Sequence, residues 1–406
     1  MNDGAARRTP RVALVHDYLN QYGGAERVLE VLHGMYPAAP IYTSMYAPRL
    51  MPPAYRRLDI RTSFMQHLPG VAYHHQKYLL AYPLAFESFQ FGDYDVVLSN
   101  SSAWCKGVLT PPETLHVCYC LTPMRWAWSY REYVDRERVG GALRRVLPLA
   151  MHYLRLWDVA SAQRVDRFVA ISRAVAARIR KYYGREAEVI YPPVAVEAFT
   201  PRREPEDFYL VVSRLIPYKR VDLAVEAFRR LGPSWRLKIV GDGRDRAALQ
   251  ARAGANVEFL GRLPDEAVRD LMARCRAFLF PGLEDFGIAP VEAQAAGRPV
   301  VAYAGGGALD TVRDGETGVL FAPQTAEALA EAVQRSADLA WDPTTIRAHA
   351  EGFSEARFRH ELGDYVERVW ADLPPRPPSL SGKGERTGAA SHRLPPSFIG
   401  KGGRGG

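Results

Sequence analysis

Short apolar runs recur along the chain, with stretches of helical periodicity between them. Residues 11–15 (Arg-Val-Ala-Leu-Val) are apolar enough to be buried on both faces of a sheet. Behind them Ala25, Val28, Leu29, Leu32 and Met35 recur at the spacing of one helix face. Residues 96–99, 115–120 and 167–171 repeat the strand pattern with helical segments between, as a parallel α/β sheet requires. Tyr191-Pro192-Pro193-Val194 stiffens an extended connection, which puts a domain boundary just after it, near residues 201–205. A second series then begins, with strands expected at 208–212, 237–240, 257–260, 277–280 and 300–303. Helices at 326–339 and 355–370 finish the folded part. The pattern predicts two doubly wound α/β halves with a polar cleft between them.

The length of 406 residues suits two or three domains with ample core. No run of eighteen apolar residues occurs, so no membrane-spanning helix is expected. Residues 1–11 are polar, without the apolar core of a signal peptide, so residence in the cytoplasm is expected. Cys105, Cys118, Cys120 and Cys275 are too few and too scattered for a disulfide framework and read as buried thiols. The formal charge is +8, but from Pro374 onward six cations face one anion. Five of the eight positive charges therefore sit in the tail, and no nucleic-acid partner is implied. The tail is rich in Pro, Gly and Ser and reads as disordered, with Pro377–Gly384 echoed by Pro395–Gly402.

Candidate chemistry gathers where strands end. Gly241-Asp242-Gly243, Gly261-Arg262 and Gly305-Gly306-Gly307 each follow an expected strand, and in a parallel sheet all such ends share one edge. The loop 213–220 carries Arg214, Lys219 and Arg220 just past a strand, where cations can hold a diphosphate leaving group. In 281–292, Pro290 suits the first helical position and Glu292 the first turn. Ala289 would then be an N-cap that cannot cap, leaving amides for an anion such as a diphosphate. Glu284 lies on the loop facing the same opening. An ordinary strand–loop–helix with Glu292 as a dipole partner is the other reading of this stretch.

Gly23-Gly24 at a helix start allows close approach of backbone to a ligand, or simply makes a turn. The dinucleotide spacing Gly-x-Gly-x-x-Gly is absent there, which argues against a nicotinamide enzyme. Asp93-Tyr94-Asp95 precedes a strand, on the wrong edge for a ligand, and is rejected as a metal site. The aromatic segment 122–130 beside Arg125 suits a sugar or lipid-phosphate acceptor, or packs against the next helix. Leu143, Val146, Leu147, Ala150, Met151, Leu154 and Trp157 trace an apolar stripe near Arg144, Arg145 and Arg155. That helix either faces the core or lies on an anionic membrane, and Pro148 is expected to kink or restart it.

The paired signal of Arg214 and Lys219 with Glu284 and Glu292, which have seven residues between them, resembles the retaining glycosyltransferases of family 4, of GT-B fold. The resemblance covers about residues 11–370. Within that family, residues 119–126 (Tyr-Cys-Leu-Thr-Pro-Met-Arg-Trp) and 168–172 (Phe-Val-Ala-Ile-Ser) look like the bacterial O-antigen mannosyltransferases. It implies an acceptor-side Rossmann-like domain over 1–200 and a nucleotide-sugar-binding one over 201–352. A helix over 353–373 would cross back to the first domain, and 374–406 would be the disordered basic tail. Arg214 and Lys219 would bind the donor diphosphate, Glu284 the hydroxyls of the donor sugar and Glu292 the ribose. Backbone amides of Phe286, Gly287 and Ile288 would cradle sugar and phosphate, Gly24 would close over the diphosphate, and Arg262 would flank the base. The implied donor is GDP-mannose, with no metal or other cofactor. The implied acceptor is a glycan or polyprenyl-diphosphate-linked sugar in surface polysaccharide synthesis, met by peripheral contact with the inner face of the plasma membrane.

Two positions depart from the family pattern. Leu121 stands where related sequences carry a histidine near the reacting sugar, and Asp310 where glutamate is usual. The missing histidine makes His16 a candidate substitute. It also keeps open a non-catalytic nucleotide-sugar binder, beside a sugar-nucleotide isomerase on the same fold.

Overall fold

The computed structural model describes residues 9–128, 141–202 and 204–373. Seven parallel strands form the first sheet: β1 Val12–His16, β2 Ile41–Thr43, β3 Ile60–Thr62, β4 Val96–Ser101, β5 Leu115–Cys120, β6 Arg167–Ala170 and β7 Ala187–Val189. Six form the second: β8 Tyr209–Val212, β9 Leu237–Val240, β10 Val257–Gly261, β11 Phe278–Phe280, β12 Val300–Tyr303 and β13 Gly318–Phe321. Their orders are β3-β2-β1-β4-β5-β6-β7 and β10-β9-β8-β11-β12-β13, every pairing parallel. Each order reverses once, between β1 and β4 and between β8 and β11. A crevice opens beyond the strand ends at such a reversal, and that is where ligands bind in doubly wound sheets. The two doubly wound halves are those the apolar pattern predicts. Strand β1 is buried at every position, as a central parallel strand must be.

The apolar stripe of helix Gly141–Gln163 faces the core, with Met151, Leu154 and Trp157 buried. The helix continues through Pro148 without restarting there. It is pinned further along instead. Lys106 and Asp158, both almost wholly buried, pair at 2.5 Å. Asp158 also accepts from Trp128 Nε1 at 2.7 Å and from the Tyr183 hydroxyl at 2.9 Å. Leu149, Tyr153 and Leu156 remain exposed on the opposite face. Leu143 and Val146 lie on side chains outside those described.

The last helix, Glu355–Ala371, lies against helix Gly24–Met35 of the first half. Arg359 donates to the Val31 carbonyl at 3.2 Å, and Phe358 meets Tyr119 edge-on at 5.4 Å. All four cysteines are free and buried. Asp95 holds the start of β4 by accepting from the Arg11 backbone N–H at 2.9 Å. The segment 374–406 lies outside the described residues. Among the described residues no helix is long and apolar enough to cross a membrane.

Two buried polar groups make stability testable. Removing one partner of a buried ion pair strands the other charge. Lys106→Met is therefore expected to lose about 3–5 kcal/mol in denaturant unfolding, and Lys106→Met with Asp158→Leu to recover most of it. His116 lies wholly buried in β5, bonded to Ser99 Oγ at 2.9 Å. Burial, with Arg164 and Lys106 nearby, drops its pKa from 6.5 to about 3. The unfolded chain then takes up a proton that the folded chain refuses. The stability His116 contributes is full above about pH 6.5 and falls as pH drops toward about 3. A His116→Gln variant should flatten that limb by up to roughly 1.4 kcal/mol per pH unit in unfolding measured across it.

Candidate functional site

The loops after β8 and β11, the strands flanking the second reversal, carry most of the candidate residues. After β8 the chain runs through Arg214 to a short turn, Pro217–Lys219, and enters helix Val221–Leu231 at Arg220, whose φ is 51°. After β11 it runs through Glu284 to Gly287, whose φ of 95° starts helix Ile288–Ala295. That start corrects the sequence reading. Gly287 is the N-cap, so Pro290 is the third helical residue and Glu292 lies beyond the first turn. Glycine takes the left-handed backbone at little cost, which lets the helix begin earlier than proline alone suggests. No side chain caps it, so the amides of Ile288 and Ala289 still lack a side-chain partner.

Glycines let the loops sit on one another. Gly307 N–H donates to the Glu284 carbonyl at 2.9 Å, and a Cβ at Gly307 would lie 2.2 Å from the Phe286 Cα. A Cβ at Gly241, whose φ is 130°, would lie 1.8 Å from the Ser213 carbonyl oxygen.

Lys219 and Glu284 pair at 2.6 Å. Arg214 donates to the Tyr218 hydroxyl at 2.9 Å. A cavity of about 770 Å³ lies between the halves, and Arg214, Arg262, Ile288 and Glu292 all line it. Phe286 is buried, stacked on Tyr191 with centroids 5.9 Å apart, so its backbone faces the loop while its ring anchors behind. Gly24 approaches from the first half, where a Cβ would lie 3.0 Å from Ile288 Cδ1. Lys219, Glu284, Phe286 and Gly287 sit beside the cavity rather than in its lining.

His16 ends β1, beneath the Gly23-Gly24 turn. It is 2% exposed, its Nε2 is 3.4 Å from Glu26 and its Nδ1 is 3.2 Å from the Asn100 carbonyl. Asn100 in turn donates to the Ala25 carbonyl at 2.8 Å, so this cluster fixes the first turn of helix Gly24–Met35. Leu121 is half-buried against the core, its N–H bonded to the Ser101 carbonyl at 2.8 Å.

Several polar residues at the cleft have no signal in the local sequence. Arg27, from the first half, donates to Glu292 at 3.1 Å and lies 3.6 Å from Asp265. Burial pushes the Glu292 carboxyl above its ordinary range, with Arg27 pulling the other way. Asp285 is gripped by Arg178 and by Arg125, the latter at 2.5 Å. Burial opposes its ionisation, yet the two guanidiniums outweigh that and hold it below the usual aspartate range. Asp310, the second departure, pairs with Arg173 and accepts from the Tyr191 hydroxyl at 3.2 Å.

Two family models match successive parts of the chain. The one described as Glycosyltransferase Family 4 covers residues 22–198, and the one described as Glycosyl transferases group 1 covers 196–340. The chain belongs to the family 4 glycosyltransferases. An exopolysaccharide phosphotransferase of Streptomyces coelicolor is 30% identical over 280 residues, 66% of this chain and 28% of that protein. A GDP-mannose-dependent alpha-(1-6)-phosphatidylinositol monomannoside mannosyltransferase of Mycolicibacterium smegmatis is 31% identical over 213 residues, 45% of this chain and 55% of that protein. The matched stretch thus spans from about a quarter to about half of these curated relatives. Anabaena HepE, solved with UDP-glucose, superposes with a TM-score of 0.65 at 19% identity, covering 88% of this chain and 99% of its own. That likeness shows the GT-B fold, the one the resemblance implies.

In this family 4 chain the two matched models meet at residues 196–198, where the short turn Val196–Ala198 leaves the first sheet. The glycine contacts set a test. Gly307→Ala must displace the backbone of Phe286, so it should weaken nucleoside diphosphate binding at least tenfold, about 1.4 kcal/mol. It should also lower the unfolding midpoint. Gly92→Ala, where a Cβ meets nothing within 4 Å, should change neither quantity in calorimetry or denaturation.

Proposed function

We propose that the chain is a retaining hexosyltransferase that moves a mannosyl group from GDP-mannose to a glycan or lipid-linked acceptor in surface polysaccharide synthesis. One observation carries the reading: Arg214, the Lys219–Glu284 pair and Glu292 are brought from separate segments to the edge of one cleft between two sheets. The acceptor hydroxyl attacks the anomeric carbon on the face the diphosphate leaves. As that carbon–oxygen bond breaks, a diphosphate oxygen takes the hydroxyl's proton. Arg214 and Lys219 stabilise the charge that builds on the departing group. Glu284 holds sugar hydroxyls, Glu292 the ribose, and Arg262 flanks the base. The amides from Phe286 to Ile288 cradle sugar and phosphate, and Gly24 closes over them. His16 enters as the support of the Gly23-Gly24 turn, because its ring is closed in by Glu26 and Asn100.

The mannosyl donor is supported by residues 119–126 and by the name of the Mycolicibacterium relative. The name of the Streptomyces relative supports a polysaccharide context. The exposed Leu149, Tyr153 and Leu156 suit an acceptor carried on a lipid at the inner membrane face. Leu121 favours a second reading, a binder of nucleotide sugars without turnover, since leucine offers the sugar no hydrogen bond.

Calorimetric titration with GDP, UDP and ADP, without added metal, tests the donor. GDP is expected to bind at least tenfold more tightly than the other two, and GDP-mannose to turn over once an acceptor is supplied. Preference for UDP would replace the donor and keep the transferase. Donor binding with no turnover on any lipid-linked glycan would leave the second reading.

A further inference from the structure

We propose that Tyr218 is a positioning residue, which spaces three cations from both halves of the chain around the departing diphosphate. The inference rests on the nucleotide-sugar reading above. Lys219 Nζ lies 5.2 Å from the Tyr218 ring centroid and Arg125 Cζ lies 5.8 Å from it. The hydroxyl of the same ring accepts from Arg214 Nη2 at 2.9 Å. Arg214 and Lys219 belong to the loop after β8. Arg125 opens the short helix Arg125–Trp128 after β5, in the first half. One half-buried tyrosine therefore touches a cation from across the cleft and two from its own loop.

Charge says why tyrosine suits the place. Three cations, Arg125, Arg214 and Lys219, meet at it, and the two carboxylates beside them, Glu284 and Asp285, leave a positive surplus. Like charges crowded together repel and need something to hold them. A carboxylate at position 218 would hold them and cancel the surplus. An aromatic ring attracts cations through its quadrupole and cancels nothing. Its hydroxyl orders the third cation in the same way. Asp285 meanwhile fixes Arg125 from the loop after β11, so Arg125 reaches the ring only when the two halves are together.

The test measures binding in purified full-length protein. Wild type, Tyr218→Phe, Tyr218→Leu, Arg125→Gln and the double variant Tyr218→Leu/Arg125→Gln are titrated with whichever of GDP, UDP and ADP the wild type binds. Each is also titrated with the matching nucleoside, which lacks phosphate. Tyr218→Leu and Arg125→Gln are each expected to weaken the diphosphate at least tenfold and the nucleoside less than about twofold. Tyr218→Phe, which keeps the ring but loses the hydroxyl that accepts from Arg214, should weaken the diphosphate about threefold, less than Tyr218→Leu. The double variant should be no weaker than the worse single by more than about threefold, because the two residues act as one unit. Unchanged diphosphate affinity in both single variants overturns the proposal. Parallel loss of diphosphate and nucleoside overturns it too, since that marks a general collapse of the cleft. So does full multiplication of the two single effects. A wild type that binds none of the three diphosphates overturns the nucleotide-sugar reading, and this proposal with it.

Discussion

Asp285 is one carboxylate shared by two guanidiniums from the other half of the chain, and the geometry of the cleft depends on it. Arg125 comes from the segment after β5 and Arg178 from helix Arg173–Tyr183. Both reach a residue on the loop after β11. The neighbouring Glu284 turns its carboxylate the other way, to Lys219 on its own sheet. Two consecutive acids thus tie one loop to both halves. The carboxylates are buried while the arginines keep part of their side chains in water, so these pairs fall between surface pairs, which contribute little, and fully buried ones. Arg27 with Glu292, and Arg173 with Asp310, add two more crossings, from more exposed arginines. The closed arrangement is held by charge, so a charged ligand entering between the halves acts on the same forces.

Behind these crossings the first half is braced by buried polar groups. Asp17, just past β1, accepts from the backbone N–H groups of Ser102, Ala103, Trp104 and Cys105 and from the Ser102 hydroxyl. A single carboxylate therefore satisfies four amides of the loop after β4, which would otherwise be stranded away from water. Lys106 follows in the same loop and passes the restraint to Asp158 and helix Gly141–Gln163. His16, Glu26 and Asn100 do the same for the turn at Gly23-Gly24. The loops after β1 and β4 are thus fixed from below, which lets the residues above them meet the opposite half in one arrangement.

How much of this the sequence discloses varies with the length of each signal. Strands β5, β9 and β12 are legible to the residue, as largely apolar runs of four to six residues. Strands β2, β3 and β7 have three residues each, too few for any periodicity, and are not legible. The start of helix Ile288–Ala295 is misread because Pro290 outweighs Gly287 in a local reading, whereas the positive φ of Gly287 decides it. Arg214, Lys219, Glu284 and Glu292 stand out in the sequence because two short segments carry them in pairs. Their partners are not. Arg27 lies 265 positions from Glu292 and Arg178 lies 107 from Asp285, and an arginine that far away looks like any solvated surface cation. Tyr218 is hidden for another reason: a tyrosine between proline and lysine reads as packing until the three cations around it are seen.

These features share one physical logic. The cleft edge gathers glycines that bring backbone against backbone and a helix whose first amides have no side-chain cap. Among the described residues, arginines and carboxylates line the cavity in equal number, five of each. Glu292 is the instructive one. Burial raises its carboxyl, and Arg27 from across the cleft opposes that shift. A buried carboxylate whose compensating charge comes from the other half is stable only while the halves stay together. A ribose offering two hydroxyl donors would satisfy the same carboxylate with the cleft open. Occupancy of the site and contact between the halves are then two ways of meeting one electrostatic demand.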